Sequence, residues 1–213
     1  MKLVIISDTH GRHDELGTLR GDVLIHCGDS GNGFSGHPDD LDRLDAWFGQ
    51  QEFERILCIG GNHDFDMQAR AERGGPVLRN AEYLQDQVHE YRSVRFYGSP
   101  WTPELVDWAY YLDDDALRRR WELIPNDVEI LITHTPPYGV LDRNTAGRNC
   151  GCRELHNRLL DLHPRVHCFG HIHASAGTTC LNGTTYVNAS MVNRRYEIAH
   201  QPIEAVFRAQ HKI

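Results

Sequence analysis

No apolar run in this 213-residue chain approaches the roughly 20 residues that a membrane-crossing helix requires. The first residues lack the basic stretch and small-residue cleavage site of a secretory leader, since Lys2–Ser7 already reads as a buried strand. A cytoplasmic protein with no membrane partner is expected. Cysteine is sparse, at 6 residues, and its spacing suits neither a disulfide framework nor a zinc ribbon. Cys27, Cys58 and Cys168 fall inside apolar runs and read as small hydrophobes, while Cys150, Cys152 and Cys180 are expected in loops or turns. Cys152 is expected to pack beneath a substrate pocket. Positive charge is also short: 22 basic against 30 acidic residues leave a net charge of -8, which argues against a broad basic surface for long nucleic acid. Of the basic clusters, Arg118–Arg120 follows Asp113–Asp115 and reads as a solvated helix face, while Arg194–Arg195 could track a phosphate backbone. With no internal repeat, low-complexity tract or interdomain linker, and 40% hydrophobic residues to build a core, a single domain over 1–213 is expected.

What the chain does have is a set of apolar runs that each stop at polar residues. Lys2–Ser7 leads into Asp8-Thr9-His10, Asp22–Cys27 into Gly28-Asp29, and Arg55–Gly60 into Gly61-Asn62-His63-Asp64. Val128–Thr133 leads into His134, and Val166–Phe169 into Gly170-His171-Ile172-His173. An open α/β sheet presents its functional groups at such strand ends, so these residues are expected along one rim. Carboxylate, amide and imidazole without thiolate suit Mn²⁺, Fe or Zn²⁺. The strand ends supply more candidate ligands than one ion can hold. Two ions sharing a carboxylate would use them, and a pair about 3.5–4 Å apart can clamp both oxygens of an in-line phosphoryl displacement.

On these blocks the chain resembles the calcineurin-like metallophosphoesterase superfamily, whose D-x-H, G-D, G-N-H-[DE], H and G-H-x-H signatures match in order. A closer likeness runs through Glu82–Asp86, Phe96–Pro103, Leu123–Pro125, Ile132–Pro137, Gly151–Leu155 and Tyr186–Ser190, which are similar to the metallophosphoesterase-domain-containing phosphodiesterases. The resemblance implies Asp8, His10 and His173 on one metal, Asn62, His134 and His171 on the other, and Asp29 bridging them. With His171 present, the metal pair is expected to be complete. His63 is then unmetallated and is expected to protonate the leaving oxygen or to steady the transition state, with Asp64 orienting it. The chemistry supports these roles independently. A hydroxide bridging two divalent ions is available near neutral pH, since metal-bound water can have a pKa of about 7 instead of 15.7. Imidazole is the side chain whose ordinary pKa lies nearest neutrality, which suits it to the proton a leaving alkoxide needs.

The remaining histidines of the 14 are read as non-ligands. His26 and His167 are expected as hydrogen-bonded core side chains, and His13, His37, His89, His156, His163, His200 and His211 as loop or surface positions. Helices are expected over Pro38–Gly49, Asp64–Arg73, Asp113–Leu123 and Gly151–Leu162. Strands near Val94–Tyr97, Thr184–Asn188 and Ile203–Arg208 are expected to build a second sheet. Periodicity alone indicates α/β with mixed strands; the resemblance implies a four-layer αββα sandwich of two mixed sheets with helices outside. The loops Gly31–Pro38, Tyr97–Tyr111 and Thr135–Arg148 are expected to shape the pocket. Trp47, Phe48 and Trp101 are read as packing residues, whereas Trp108, Tyr110, Tyr111 and Tyr138 could either stack a nucleobase or hold loops against the sheet.

The function expected is a metal-dependent phosphodiesterase acting on small phosphodiesters, such as 2′,3′- or 3′,5′-cyclic nucleotides, by attack of a hydroxide bridging two divalent ions, with Mn²⁺ favoured and Fe or Zn²⁺ as alternatives. A nuclease on single-stranded nucleic acid and a phosphomonoesterase are the competing enzymes. Nucleic acid is a less favoured partner given the acidic balance. A protein-phosphatase role is disfavoured because Gly28-Asp29-Ser30-Gly31-Asn32-Gly33 stands where those enzymes carry G-D-x-x-D-R-G. A metal-binding interaction scaffold is the non-enzyme reading. No feature indicates an oligomeric state.

Overall fold

Strand β1 (Lys2–Ile6) is buried at Leu3 through Ile6 with no alternation, the mark of a strand covered on both faces. In the computed structural model, which describes residues 1–33 and 39–208, β1 pairs in parallel with β2 (Val23–His26), β2 with β3 (Arg55–Cys58), and β3 with the short β4 (Glu82–Tyr83). A second sheet has the parallel core β6 (Val94–Ser99), β7 (Ile130–Thr133), β8 (Val166–Phe169) and β10 (Thr184–Asn188). Its edges are antiparallel: β5 (Gln87–Tyr91) beside β6 and β9 (Gly177–Leu181) beside β10.

Two of the expectations need correcting. The strand at Ile203–Val206, here β11, joins the first sheet and not the second, pairing antiparallel with β1 from Lys2↔Val206 to Ile5↔Ile203. Its half-exposed, alternating residues mark an edge strand, and nothing in that pattern says which sheet it edges. Cys180 lies within β9 instead of a turn; the turn is Asn182-Gly183, whose φ values of 50° and 83° suit a two-residue hairpin.

Three apolar clusters separate four layers. Leu3, Ile5, Val23, Ile25 and Leu57 from the first sheet meet Phe96, Ile130, Ile132, Cys168 and Val187 from the second. The outer face of the first sheet, with Val4, Ile6, Leu24 and Cys58, is covered by Leu41, Leu44, Trp47 and Phe48 of α1 (Asp40–Phe48) and Met67 of α2 (Phe65–Glu72). The outer face of the second, with Tyr97, Leu131 and Phe169, is covered by Leu117 and Trp121 of α3 (Asp114–Trp121) and Leu155 and Leu159 of α4 (Arg153–Leu159). The fold is therefore an αββα sandwich. Trp47 and Phe48 are core residues, as expected. The Cys152 thiol caps α4 by accepting from Leu155 N at 3.4 Å, within the cluster that joins α3 and α4 to the second sheet. Pro38, the expected start of the first helix, lies outside the described residues. Among the described residues no helix is long and apolar enough to cross a membrane.

Candidate metal centre

The polar strand ends meet where the two sheets come together, so the rim belongs to both sheets and not to one. β1, β2 and β3 deliver Asp8, Asp29 and Asn62 from the first sheet, while β7 and β8 deliver His134 and His171 from the second. Backbone bonds lace these ends: Asp8 N donates to Gly28 O, His10 N to Asp29 O and Gly170 N to His134 O. A parallel bridge joins Ser7 to Ser190 across the sheets. The turns are tight enough that Asp8, His10, Asp29 and His171 take left-handed φ values of 54°, 43°, 55° and 68°. Non-glycine residues rarely adopt that region, and such strain gathers at functional sites. A Cβ at Gly170 would stand 2.0 Å from Asp8 Oδ2, so only glycine fits there.

Asp8, His10, Asp29, Asn62 and His134 are all buried, and His63, His171 and His173 are partly so. Three overlapping sets, Asp8–His10–His173, His10–Asp29–His63 and Asp29–His134–His171, each bring one ligand atom per residue within 4.8 Å of the others. Asn62 completes the cluster, its Oδ1 lying 3.0 Å from His134 Nε2. The structure thus brings together all eight residues singled out in the sequence.

The donor set fits divalent cations on its own chemistry. His10 Nδ1 can only donate to Gly31 O at 3.1 Å, and His134 Nδ1 to Cys27 O at 2.8 Å, because a carbonyl has no proton to give. That fixes both tautomers in the way an outer partner orients a metal-ligating histidine. The Nε2 of His10 is left buried with no hydrogen-bond partner, 3.9 Å from Asp29 Oδ2. The Nε2 of His134 faces two acceptors, Asn62 Oδ1 and Asp29 Oδ2, the latter at 3.4 Å. Imidazole nitrogens and carboxylate oxygens converge on one space, an arrangement that a cation satisfies.

The acid–base properties say the same. Burial alone would lower His134, yet the Asp29 carboxylate raises it to about 9, so a proton is drawn into the space a cation would occupy. Burial holds His10 and His171 down at about 4 despite nearby Asp29. Asp8 and Asp29 resist the upward push of burial because the surrounding imidazoles, His173 foremost for Asp8 and His134 for Asp29, hold them well below the ordinary carboxylate range.

Asp64 does not orient His63. Its carboxylate accepts from Asp29 N, Ser30 N, Ser30 Oγ, Gly31 N and Gly61 N at 2.8–2.9 Å, stapling the loop after β2 to the loop after β3. His63 is positioned otherwise: its backbone N donates to Asp29 Oδ1 at 2.8 Å, and the Trp108 ring lies 4.5 Å from its own. Its Nδ1 is buried without a partner and its Nε2 is 4.0 Å from Asp29 Oδ2.

The other expected positions divide clearly. His26 and His167 are core residues bonded to Thr9 and Thr133. His13, expected in a loop or at the surface, is buried, with its ring 5.6 Å from Trp47; a single 3-10 turn at His13–Leu16 folds it under α1. His37 and His211 lie outside the described residues, as does most of the loop expected over Gly31–Pro38. Trp101 packs, donating to the Asp86 carboxylate, and Tyr110 is buried with its hydroxyl 2.8 Å from that of Tyr83. Tyr138 lies beneath the Arg153 guanidinium at 3.8 Å, and Tyr111 pairs with Thr102. Only Trp108 of that group contacts a centre residue.

The contributions of three residues escaped the sequence. Tyr196 places its ring 4.7 Å from His10 and 5.7 Å from His173, from a loop with no motif or periodicity to mark it. Ser190 Oγ donates to the Asp8 carboxylate at 2.9 Å, and Asn188 Nδ2 donates to Ile172 O between the paired histidines of the β8 loop.

Residues 1–175 match the signature of calcineurin-like phosphoesterases. The chain is 37% identical to metallophosphoesterase domain-containing protein 1 of Homo sapiens, over 95% of this chain and 69% of the relative. It is 34% identical to UPF0046 protein K07C11.7 of Caenorhabditis elegans, over 95% of this chain and 74% of that one. Among solved structures, TT1561 of Thermus thermophilus superimposes with a TM-score of 0.59 at 14% identity, covering 88% of each chain. Phosphopantetheinyl hydrolase from Mycobacterium tuberculosis does so with a TM-score of 0.56 at 17% identity, over 92% of this chain and 90% of that one. At these identities the solved structures speak for the fold alone.

Proposed function

This chain belongs to the calcineurin-like phosphoesterase family, and from that premise we propose that it is a binuclear metal-dependent phosphodiesterase acting on small phosphodiesters, cyclic nucleotides among them. The observation that carries the reading is the run of three overlapping ligand sets, in which His10 and Asp29 are each shared by two. One ion cannot use both outer sets, whereas a pair joined through Asp29 can, leaving His63 free of metal. In this reading Asp8, His10 and His173 hold one ion, Asn62, His134 and His171 the other, and Asp29 lies between them. The bound ions, with Mn²⁺ favoured, would supply Lewis acidity toward the phosphoryl oxygens and an attacking water of lowered pKa.

The chain's own groups then set the geometry and move the proton. Gly31 O and Cys27 O hold the His10 and His134 rings with Nε2 directed inward. His63 stands over the cluster with Nε2 directed toward Asp29 and with its ring backed by Trp108. Burial lowers its pKa and Asp29 opposes the shift, so it is Asp29 that helps the ring keep the proton an acid must supply. That proton goes to the oxygen leaving phosphorus, which is what general acid catalysis requires.

The test combines metal content with turnover. With Mn²⁺ supplied, hydrolysis of bis-p-nitrophenyl phosphate is expected to exceed that of p-nitrophenyl phosphate. Asp29→Ala should lose both bound metal and turnover. His63→Ala should keep its metal while kcat falls about 10²–10⁴-fold, the usual contribution of a positioned acid. Two ions bound without turnover of any phosphate ester would sink the enzyme and leave the scaffold. Faster cleavage of single-stranded DNA than of cyclic nucleotides would replace the small-substrate reading with a nuclease.

A further inference from the structure

Tyr196 belongs to none of the metal-binding motifs, yet its ring closes on three imidazoles of the centre. Centroid distances are 4.7 Å to His10, 5.7 Å to His173 and 6.2 Å to His63, all in edge-to-face arrangements. The loop that carries it is built for rigidity. Val192 and Ile198 bridge antiparallel at its base. Asn193 N donates to Glu197 O, and Tyr196 N to Asn193 O. The Asn193 side chain accepts from Arg195 N and Glu197 N and donates to the Glu197 carboxylate.

At the tip of this clamp Tyr196 takes a left-handed φ of 58°, a conformation that Gly or Asn adopts at lower cost. The side chain gains little from burial in exchange, since the residue remains 43% exposed. Among the described residues its hydroxyl makes no hydrogen bond. Packing therefore does not account for a strained, clamped and half-solvated aromatic at the mouth of a catalytic cluster. Contact with a molecule arriving at that cluster does, because backbone strain retained at such a place points to function.

Resting on the phosphodiesterase reading, we propose that Tyr196 is a specificity-determining residue: its ring is the platform on which a flat aromatic group carried by the alcohol esterified to the phosphate lies while the phosphate sits among His10, His63 and His173. A clamped phenol ring loses little conformational freedom on contact and offers an uncharged π surface. That surface favours an aryl or heteroaryl group over an alkyl or charged one, and tolerates any base, since every base has a π face.

The test uses two matched diesters, adenosine 2′,3′-cyclic phosphate and base-free ribose 2′,3′-cyclic phosphate, on Mn²⁺-loaded protein. The native chain should show the lower KM for the base-bearing diester. Tyr196→Leu should raise that KM about tenfold, in line with loss of one base–aromatic stack, with kcat little affected and the base-free KM moved far less. Tyr196→Phe should restore the native KM, which separates the ring from the hydroxyl. Equal KM values in the native chain, or a parallel loss of kcat on both diesters in Tyr196→Leu, would overturn the platform and leave the phosphodiesterase standing. If neither diester turns over, the phosphodiesterase reading fails, and the platform is judged by titrating adenosine monophosphate and ribose 5-phosphate. Native and Tyr196→Leu proteins of equal affinity for the nucleotide would then overturn it.

Discussion

Ser190 shows how a residue outside the ligand shell can matter to it. Its hydroxyl lies between the Asp8 carboxylate and Asn188 Oδ1, at 2.9 Å and 2.8 Å, so it couples Asp8 at the end of β1 to the strand end after β10. Outer partners of this kind orient a ligating carboxylate, and their loss typically costs about 10–100-fold in metal affinity. On the assignment proposed above, Ser190→Ala should weaken Mn²⁺ binding at the site of Asp8, His10 and His173 by that factor and spare the site of Asn62, His134 and His171. Calorimetric titration resolving one weakened and one unchanged site is the expected result; equal weakening of both would show a general loss of packing. At this scale the sequence was legible where a motif names a residue and silent where direction matters. Asp8, His10, Asp29, Asn62, His63, His134, His171 and His173 could be read from strand ends. The role of Asp64 could not, because adjacency to His63 says nothing of a carboxylate that turns back to accept bonds from Ser30 N and Gly61 N. Tyr196 could not either, since its position depends on a left-handed tip that leaves no periodic trace.

Elements follow the same division. The central strands β1, β2, β3, β7 and β8 were readable because both their faces are covered, which writes an unbroken apolar run. The edges β4, β5 and β9 were not assigned as strands: β5 reads Gln87-Val88-His89-Glu90-Tyr91, with exposed positions that resemble a loop. Membership of a sheet was also hidden, as β11 shows, because a short strand carries no record of its neighbour. What the strand ends require of the backbone is testable at Gly170. A methyl group there would meet Asp8 Oδ2 and Ser7 Oγ at 2.0 Å, and neither is the far end of a flexible chain. Gly170→Ala should push the β8 loop away from β1, destabilising the fold by about 1–3 kcal/mol as overpacking does and lowering metal affinity with it. Gly147→Ala is the control, since its Cβ would meet nothing within 4 Å, although its φ of 77° carries a smaller backbone cost. A Gly170→Ala protein with native melting temperature and native Mn²⁺ affinity would contradict this account of the junction.

At the scale of the whole molecule, each sheet holds beneath its outer helices a buried histidine that folding keeps uncharged. His167 is fully buried on β8; Thr133 Oγ1 donates to Thr135 O, so His167 Nε2 must donate to Thr133 Oγ1, leaving Nδ1 buried and unpaired. His26 is likewise fully buried on β2, accepting from Gly28 N through Nδ1. Burial lowers each from 6.5 to about 3. The sign follows directly: above pH 6.5 both rings are neutral in the folded and unfolded chain alike, whereas between about 6.5 and 3 the unfolded chain takes up a proton at each that the folded chain refuses. Stability should therefore be full above 6.5, decline as the pH falls through that window, and stop declining on this account near 3. Each ring contributes a slope of about 1.36 kcal/mol per pH unit. Urea denaturation in the presence of a chelator, which removes the metal contribution, should show this slope reduced by one proton's worth in His167→Gln, whatever that substitution costs at neutral pH. Burial alone lowers His167, with no charge of the ligand cluster contributing, so this is a property of the sandwich and not of the centre, and the reduction should persist when Asp29→Ala is added. An unchanged slope in His167→Gln would mean that the ring is protonated in the folded state, and the interior between the second sheet and its helices would then have to admit a charge that this packing excludes.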